Sequence, residues 1–249
     1  MNRPRGMGEN DMRLNVRIVT LLVIAFITAG CGHYPAPIHS AWSIMFTPAS
    51  EDMVLIDGLP LGSWHKLDKF RELQHFSIAQ NYAEDVTDAN LNALSKLTFP
   101  KLRQVSLAYA FHVTDSGLNA LTNCPTIEGL QLIGLAITDH GLDTLATAFP
   151  SLKGINVEEC RFLSATGFLA LGKSSTIKEV GLSLGPLSQS EIERLIASLP
   201  NIMRWDIYDP NGRLSVESLR KIVSGKTTKV YIQDKNHFVS RIGELMPIP

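Results

Sequence analysis

The sequence is short of several features that define common classes of protein. It has 3 Cys among 249 residues, too few for the disulfide framework of a small secreted domain. Its 23 basic and 24 acidic residues give a net charge of −1 and form no basic block, which argues against a dedicated nucleic-acid binder. Charged residues make up only 19% and apolar residues 45%, so the chain can bury a core.

An apolar run without charge occupies residues 18–29, where the sequence reads IVTLLVIAFITA. Crossing a bilayer takes about 20 apolar residues, so this run is too short to be a comfortable transmembrane helix. Arg13 and Arg17 precede the run, and small residues follow it before Cys31. A basic segment, an apolar segment and a small-residue cleavage site predict a signal peptide at residues 1–30.

The end of this segment, Thr-Ala-Gly-Cys at residues 28–31, resembles the lipobox of bacterial lipoproteins, although that family prefers an aliphatic residue where Thr28 stands. The resemblance implies that Cys31 is lipidated and begins the mature chain, followed by a tether at residues 31–50. Gly32 after the Cys, rather than Asp, implies sorting to the outer membrane. One alternative is an ordinary secretory signal, which would give a secreted or periplasmic soluble protein. Met12 is an alternative start.

The rest of the chain follows a 25-residue period. Three apolar columns keep this period over five units: Leu102, Ile127, Leu152, Ile177 and Ile202; Val105, Leu130, Ile155, Val180 and Trp205; Leu107, Leu132, Val157, Leu182 and Ile207. The last two columns lie two residues apart, which is the spacing of a strand that buries one face. Internal repeats with this period predict a solenoid with one strand per unit.

A second apolar pair in each unit has helical spacing: Leu118/Leu121, Leu142/Leu145, Phe168/Leu171, Ile192/Leu195 and Leu219/Ile222. A hydroxyl residue stands before each pair as a predicted helix N-cap: Thr114, Thr138, Ser164, Ser188 and Ser215. Asp115 and Asp139 follow two of these caps and suit the positive end of a helix. Each unit is therefore predicted to be a strand followed by a helix.

Degenerate units are predicted at both ends of the repeat. Upstream, Leu73, Phe76 and Ile78 form a strand triplet, and a further strand is predicted at 53–56. Downstream, Ile242 and Leu245 have the spacing of a closing helix. Atypical ends are expected because a solenoid must cover its exposed core.

The units resemble leucine-rich repeats, as in residues 121–152, LTNCPTIEGLQLIGLAITDHGLDTLATAFPSL. They are most similar to the cysteine-containing subtype of F-box-type adaptors and many bacterial proteins, in which Cys occupies the positions of Cys124 and Cys160. The resemblance implies an α/β fold at residues 51–249: a right-handed leucine-rich-repeat solenoid of about six to seven repeats of ~25 residues. A parallel β-sheet would form its concave face and helices its convex face.

No catalytic, metal-binding or cofactor-binding set of residues is predicted. Residues 181–185 spell Gly-x-Ser-x-Gly, the nucleophile string of α/β-hydrolases, but Leu182 belongs to a core column and no triad partner is placed for Ser183. Glu158 and Cys160 lack the companion ligands of a zinc site. Cys124 and Cys160 are interpreted as buried thiols, with a disulfide between them as the alternative.

The phase of the repeat predicts which side chains lie on the concave face. The last units place Glu158, Arg204, Asp206, Tyr208 and Tyr231 there, and Arg and Tyr are enriched at binding hot spots. We therefore predict a membrane-anchored scaffold that binds a protein or another macromolecule through these residues. An ordinary solvated sheet face is the alternative for the surface, and an enzyme or enzyme subunit with a site in the loops after the strands is the alternative for the function.

Overall fold

In the part of the chain that the structure describes, nine strands form one sheet, and their order in the sheet follows their order in the chain. This is a computed structural model, which describes residues 44–45, 49–185, 187–233 and 240–242. Strands β1 to β8 are parallel, and β9 runs antiparallel to β8. The strands are β1 (Met53–Ile56), β2 (His75–Ile78), β3 (Gln104–Ser106), β4 (Gly129–Gln131), β5 (Gly154–Asn156), β6 (Glu179–Ser183), β7 (Arg204–Tyr208), β8 (Lys229–Gln233) and β9 (Ser240–Ile242).

Helical segments connect successive strands, as the spacing of the second apolar pair predicts. The α-helices are α1 (Asp88–Leu94), α2 (Asp115–Leu121), α3 (Asp139–Ala148), α4 (Ala165–Leu169), α5 (Gln189–Ser198) and α6 (Val216–Val223). Short 3-10 segments add Leu61–Lys69, Gln80–Asp85 and Ala170–Lys173. Within the described residues, no helix has the length and apolar character that a membrane span requires. The predicted signal peptide and Cys31 lie outside the described residues.

The sheet register converts the 25-residue period into rows of side chains. Val105 pairs with Leu130, Leu130 with Ile155, Ile155 with Val180, and Val180 with Trp205. All five side chains are buried, with at most 4% exposed. Each apolar column of the sequence therefore becomes a continuous row in the core between sheet and helices.

The predicted N-caps begin the helices. Thr114, Thr138 and Ser164 each accept a hydrogen bond from the backbone N–H two residues on, and Ser188 and Ser215 accept from the N–H three residues on. These bonds satisfy amide groups that have no partner within the helix.

The caps are also linked from one unit to the next. Thr138 donates its backbone N–H and its hydroxyl to the two carboxylate oxygens of Asp115, at 2.9 and 2.6 Å. Equivalent pairs of bonds join Thr114 to Asp88 and Ser164 to Asp139. We call these three contacts the cap ladder. An Asp after a cap therefore holds the start of the following helix as well as favouring the start of its own.

Glycine makes room for the cap ladder. A Cβ atom at Gly117, Gly141 or Gly167 would lie 2.5, 2.4 or 2.2 Å from a carboxylate oxygen of Asp88, Asp115 or Asp139. Such distances are far inside van der Waals contact. The Thr-Asp-x-Gly motif of the units therefore specifies a contact between neighbouring helices.

The cap ladder is interrupted between α4 and α5. Ala165 stands where the preceding helices begin with Asp, and it has no side-chain acceptor for Ser188. Ser188 instead donates its N–H and its hydroxyl to Glu191 of its own helix, at 2.8 and 2.7 Å. A related link resumes at the next junction, where Ser215 donates its N–H to Gln189 Oε1 at 3.2 Å.

Three expectations, about the two ends of the repeat and about the cysteines, can be compared with the structure. The closing helix predicted at Ile242 is wrong, because Ser240–Ile242 forms a strand that pairs with the otherwise open edge of β8; Leu245 lies outside the described residues. Among the described residues eight strands are parallel, since the strand predicted at 53–56 is present as β1. Cys124 and Cys160 are separate buried thiols rather than a disulfide.

Candidate binding surface on the concave face

The concave face is the face of the sheet that the helices do not cover. Its side chains in β3 to β5 are small or amide-bearing, such as Ser106, Gln131 and Asn156. Its character changes in β7 and β8, where the residues that alternate with the core are Arg204, Asp206, Tyr208, Lys229, Tyr231 and Gln233. The described part of the face therefore has its large charged and aromatic groups toward the C-terminal strands, as predicted.

Arg204, Asp206 and Tyr231 form one cluster. The Arg204 guanidinium donates from two nitrogens to both carboxylate oxygens of Asp206, at 2.8 and 3.1 Å. Its Cζ lies 4.8 Å from the centroid of the Tyr231 ring on the neighbouring strand. A two-pronged ion pair stacked on an aromatic ring fixes the orientation of the guanidinium. The cluster is thus a rigid feature of the surface with both charges internally matched.

Glu158 lies in the turn after β5 and is held by Asn156, the last residue of that strand. The side-chain oxygen of Asn156 accepts the N–H of Glu158 at 2.9 Å, and its amide nitrogen donates to the Glu158 carboxylate at 3.2 Å. Asn156 packs over Gly181, where a Cβ would lie 2.8 Å from its Cγ. Gly181 therefore leaves the space that lets Asn156 position Glu158.

The environment of Glu158 raises its pKa to about 7. Burial is the largest cause, because it penalises the charged form, and the carboxylates of Glu159 and Asp206 add repulsion in the same direction. The hydrogen bond from Asn156 opposes the shift. Glu158 and Glu159 in turn raise the pKa of Tyr208, second to burial. These mutual interactions place Glu158, Asp206 and Tyr208 in one electrostatic neighbourhood beside the Arg204 cluster.

A pocket that the sequence did not predict lies at the carboxyl ends of β5, β6 and β7. It has a volume of about 230 Å³ and we call it the strand-end pocket. Its lining combines apolar and polar side chains: Val157, Glu159, Cys160, Arg161, Leu163, Phe168, Ser183, Gly185, Leu187, Tyr208 and Pro210. Tyr208 belongs both to this pocket and to the predicted surface, so the two features adjoin.

A row of left-handed residues runs along the same edge. Tyr109, Gly134 and Glu159 are one period apart and have φ values of 66°, 75° and 58°. Only glycine adopts this conformation without steric cost, so the backbone at Tyr109 and Glu159 is strained. The Glu159 N–H donates to Ser183 Oγ at 2.9 Å, which holds the turn. The shared column with Gly134 was the sequence signal that could have singled out Glu159.

The two nucleophilic side chains of the pocket are engaged in structural contacts. Ser183 ends β6, six residues before the first residue of α5, rather than standing on a sharp strand-to-helix turn, and its hydroxyl accepts the Glu159 N–H. The Cys160 thiol donates to the Leu132 carbonyl at 3.0 Å, and burial raises its pKa to about 12. A protonated thiol is a weak nucleophile. In the described residues, no group of three or more His, Cys, Asp or Glu side chains is arranged to hold a metal ion.

Comparison with solved structures identifies the architecture. The leucine-rich repeat-containing protein LegL7 from Legionella pneumophila has a TM-score of 0.58 at 13% identity, over 80% of this chain and 70% of that one. The tropomodulin C-terminal domain from Caenorhabditis elegans has a TM-score of 0.43 at 15% identity, over 57% of this chain and 92% of that one. No protein-family model and no curated protein sequence matches the chain. The fold is an α/β solenoid of the leucine-rich-repeat type.

Proposed function

We propose that this protein is a membrane-anchored scaffold that binds a protein partner through the concave face of β5 to β8, and that it is not an enzyme. The observation that carries the proposal is the oriented Arg204–Asp206–Tyr231 cluster with Glu158 and Tyr208 beside it. Desolvated Arg and Tyr side chains on a rigid scaffold dominate the energy of many protein interfaces.

The absence of catalysis in this proposal is supported by the strand-end pocket. Its hydroxyl and thiol, on Ser183 and Cys160, serve backbone hydrogen bonds, and the pocket has no His in its lining. A nucleophile normally needs an adjacent base within hydrogen-bond reach. Solenoids in general use their long curved faces for binding.

The binding surface is tested by crosslinking in intact membranes. A photo-reactive amino acid replaces Tyr208 in one variant and the exposed Glu217 of α6 in a matched control. We expect a crosslinked partner from position 208 and none from position 217. In a second experiment the photo-reactive amino acid replaces Tyr231, and the chain also carries Arg204→Ala and Tyr208→Ala. This double substitution should abolish capture of the partner from position 231. Undiminished capture would refute the proposed surface.

The proposed anchor places lipid on Cys31, after cleavage of residues 1–30, and the protein in the cell envelope at the outer membrane. The support is the lipobox-like sequence at residues 28–31. Cys31→Ser should move the protein from the membrane fraction to the soluble fraction, since a thioether-linked diacylglycerol cannot form on serine. Cys124→Ser, a buried thiol in the solenoid, is the control and should leave membrane association unchanged. Tight membrane association of the Cys31→Ser variant would overturn the anchor.

A further inference from the structure

We propose that the strand-end pocket receives one lysine or arginine side chain of the protein partner, with its aliphatic stem on the apolar wall and its cationic head between Glu159 and Tyr208. This inference rests on the proposed function and names the chemistry of the residue that the scaffold recognises. It concerns the edge of the sheet rather than the Arg204 cluster.

The pocket opens where the regular packing of the solenoid is interrupted. Both Phe168 of α4 and Leu187, which precedes α5, line it. This is the junction at which Ala165 replaces the Asp of the cap ladder and Ser188 bonds within its own unit. The neighbouring helix starts are therefore not tied together here, and a space of about 230 Å³ lies between the units.

The size of the space matches one side chain rather than a cofactor. Sites for drug-sized ligands and cofactors have volumes of roughly 300–1,000 Å³, whereas a cavity of about 150 Å³ holds benzene. A single long side chain is therefore the appropriate occupant for a space of about 230 Å³.

The distribution of polarity selects an amphipathic side chain. Val157, Leu163, Phe168 and Leu187 supply buried apolar surface, which suits the methylene stem of lysine or arginine. The lining also includes the exposed Glu159 and the half-buried Tyr208, a charge partner and an aromatic ring for a cation.

Charge complementarity also points to a cation. Glu158 contributes to the raised pKa of Tyr208, so a second carboxyl group lies near this end of the sheet. Asp206 is matched by Arg204 and adds little to the attraction. Arg161 lines the same pocket and interacts with Glu159, whose pKa it lowers against the larger effect of burial. An incoming basic side chain would therefore compete with Arg161 for the Glu159 carboxylate.

An exposed aromatic side chain near the pocket, Phe162, would contact the residues that flank the basic residue of the partner. Phe162 is 65% exposed and adjoins the pocket residues Arg161 and Leu163 in the chain. Exposed aromatic side chains beside a pocket are typical of the contact surface around an anchor residue. The partner segment that fits best carries a basic residue next to apolar residues.

The test uses the full chain in neutral detergent at about pH 8, with methyl-labelled Val and Leu for NMR. Three probes are titrated: N-acetyl-lysine methylamide, N-acetyl-arginine methylamide and the uncharged N-acetyl-norleucine methylamide. We expect the lysine and arginine probes to shift the methyl signals of Val157, Leu163 and Leu187 saturably. Norleucine should need at least about fivefold higher concentration, which is the effect of roughly 1 kcal/mol of charge interaction. The Leu118 and Leu142 methyls, buried in other units, are internal controls.

Two substitutions should change the dissociation constant in opposite directions. Glu159→Gln removes the charge partner and should weaken binding of the lysine probe about fivefold, whereas Arg161→Gln removes the competitor and should strengthen it. Glu217→Gln on α6 is the control and should have no effect. A purely structural disturbance of the pocket would weaken binding in both pocket variants.

Equal shifts with all three probes, no shift with any probe, or weakening by both Glu159→Gln and Arg161→Gln would overturn the inference. The proposed function has a separate readout, because Tyr231 does not line the pocket and crosslinking from position 231 does not require it. Partner capture that persists while the basic probes fail to bind would refute the pocket and leave the scaffold intact; loss of both would refute the two together.

Discussion

The cap ladder predicts that one glycine-to-alanine substitution changes its effect on stability when a single carboxylate is removed. Alanine normally favours a helix over glycine by about 0.5–1 kcal/mol. At Gly141, however, the new Cβ would lie 2.4 Å from Asp115 Oδ1, so the carboxylate must leave Thr138. Losing those two surface hydrogen bonds costs about 1–2 kcal/mol. Gly141→Ala should therefore lower the free energy of unfolding by about 1 kcal/mol.

The same substitution should behave differently after Asp115→Ala. That variant has already lost the two bonds, at a cost of about 1–2 kcal/mol, and no longer has the oxygen atoms that clash. The remaining close neighbour of the new Cβ is Ile137 Cβ at 3.3 Å, which can yield by a few tenths of an ångström. Adding Gly141→Ala should then leave stability unchanged or raise it by up to about 1 kcal/mol. The coupling energy of the pair is expected to be about 1–2 kcal/mol.

Urea unfolding followed by the fluorescence of Trp64 and Trp205, both fully buried, measures the four free energies of this cycle. Gly62→Ala combined with Asp115→Ala is the control cycle, because a Cβ at Gly62 meets no atom within 4 Å. Effects of Gly141→Ala and Asp115→Ala that add to within about 0.5 kcal/mol would refute the proposed role of the glycine.

Three further predictions concern ionisation, a buried indole and backbone strain. Because the pKa of Glu158 is raised from 4.5 to about 7, the folded state keeps a proton that the unfolded chain releases in this window, so the free energy of unfolding should fall as pH rises from about 4.5 to 7. Thermal unfolding between about pH 5 and pH 8 should show a shallower fall for Glu158→Gln than for Glu217→Gln, and equal slopes would contradict the raised pKa. Trp64 donates its indole N–H to a buried carbonyl at 3.0 Å, whereas the buried Trp205 N–H has no partner in the described structure, so Trp64→Phe should cost about 1–2 kcal/mol more than Trp205→Phe in urea unfolding; a larger loss from Trp205→Phe would be inconsistent with this. Glu159→Gly should relieve the left-handed strain and change the free energy of unfolding by no more than about 1 kcal/mol while weakening binding of the lysine probe, and a loss of several kcal/mol would show that Glu159 has a structural role instead.

The core could be predicted because its spacing leaves one solution. Val105 and Leu107 lie two residues apart and recur with a period of 25, so both must face the same side of parallel strands in register, and both are buried. Helix spacing was less decisive. In α6 the buried pair is Leu219 and Val223, with Ile222 only half-buried, because spacings of three and four both return to one helix face.

The contacts between units could not be predicted from spacing alone. Asp115 after an N-cap has a sufficient local explanation in the helix dipole, yet its hydrogen-bond partner is Thr138, 23 residues on. Ile242 fits a helix face as well as a strand, and the open edge of β8 decided the outcome by offering unpaired backbone groups.

The candidate surface was predicted only as a set of directions. The repeat phase predicted Glu158, Arg204, Asp206, Tyr208 and Tyr231 on one face; the last four alternate with core residues in β7 and β8, and Glu158 lies in the turn after β5. The repeat phase did not predict that Arg204 and Asp206 would form an ion pair with each other. The strand-end pocket lies at the junction where Ala165 replaces the Asp of the cap ladder. The periodicity of the apolar residues does not reveal the loss of this contact.

Each strand pairs only with the strands before and after it in the chain. The number of units in the solenoid can therefore change without changing how the other strands pair. Excising residues 126–150 would remove one complete strand and helix and rejoin equivalent positions of adjacent units. The sheet would shorten by about 4.8 Å, the distance between neighbouring strands. The walls of the strand-end pocket, which come from residues 157–210, would all remain. Duplication or loss of whole units can therefore alter how far the domain reaches without altering the residues that line the strand-end pocket.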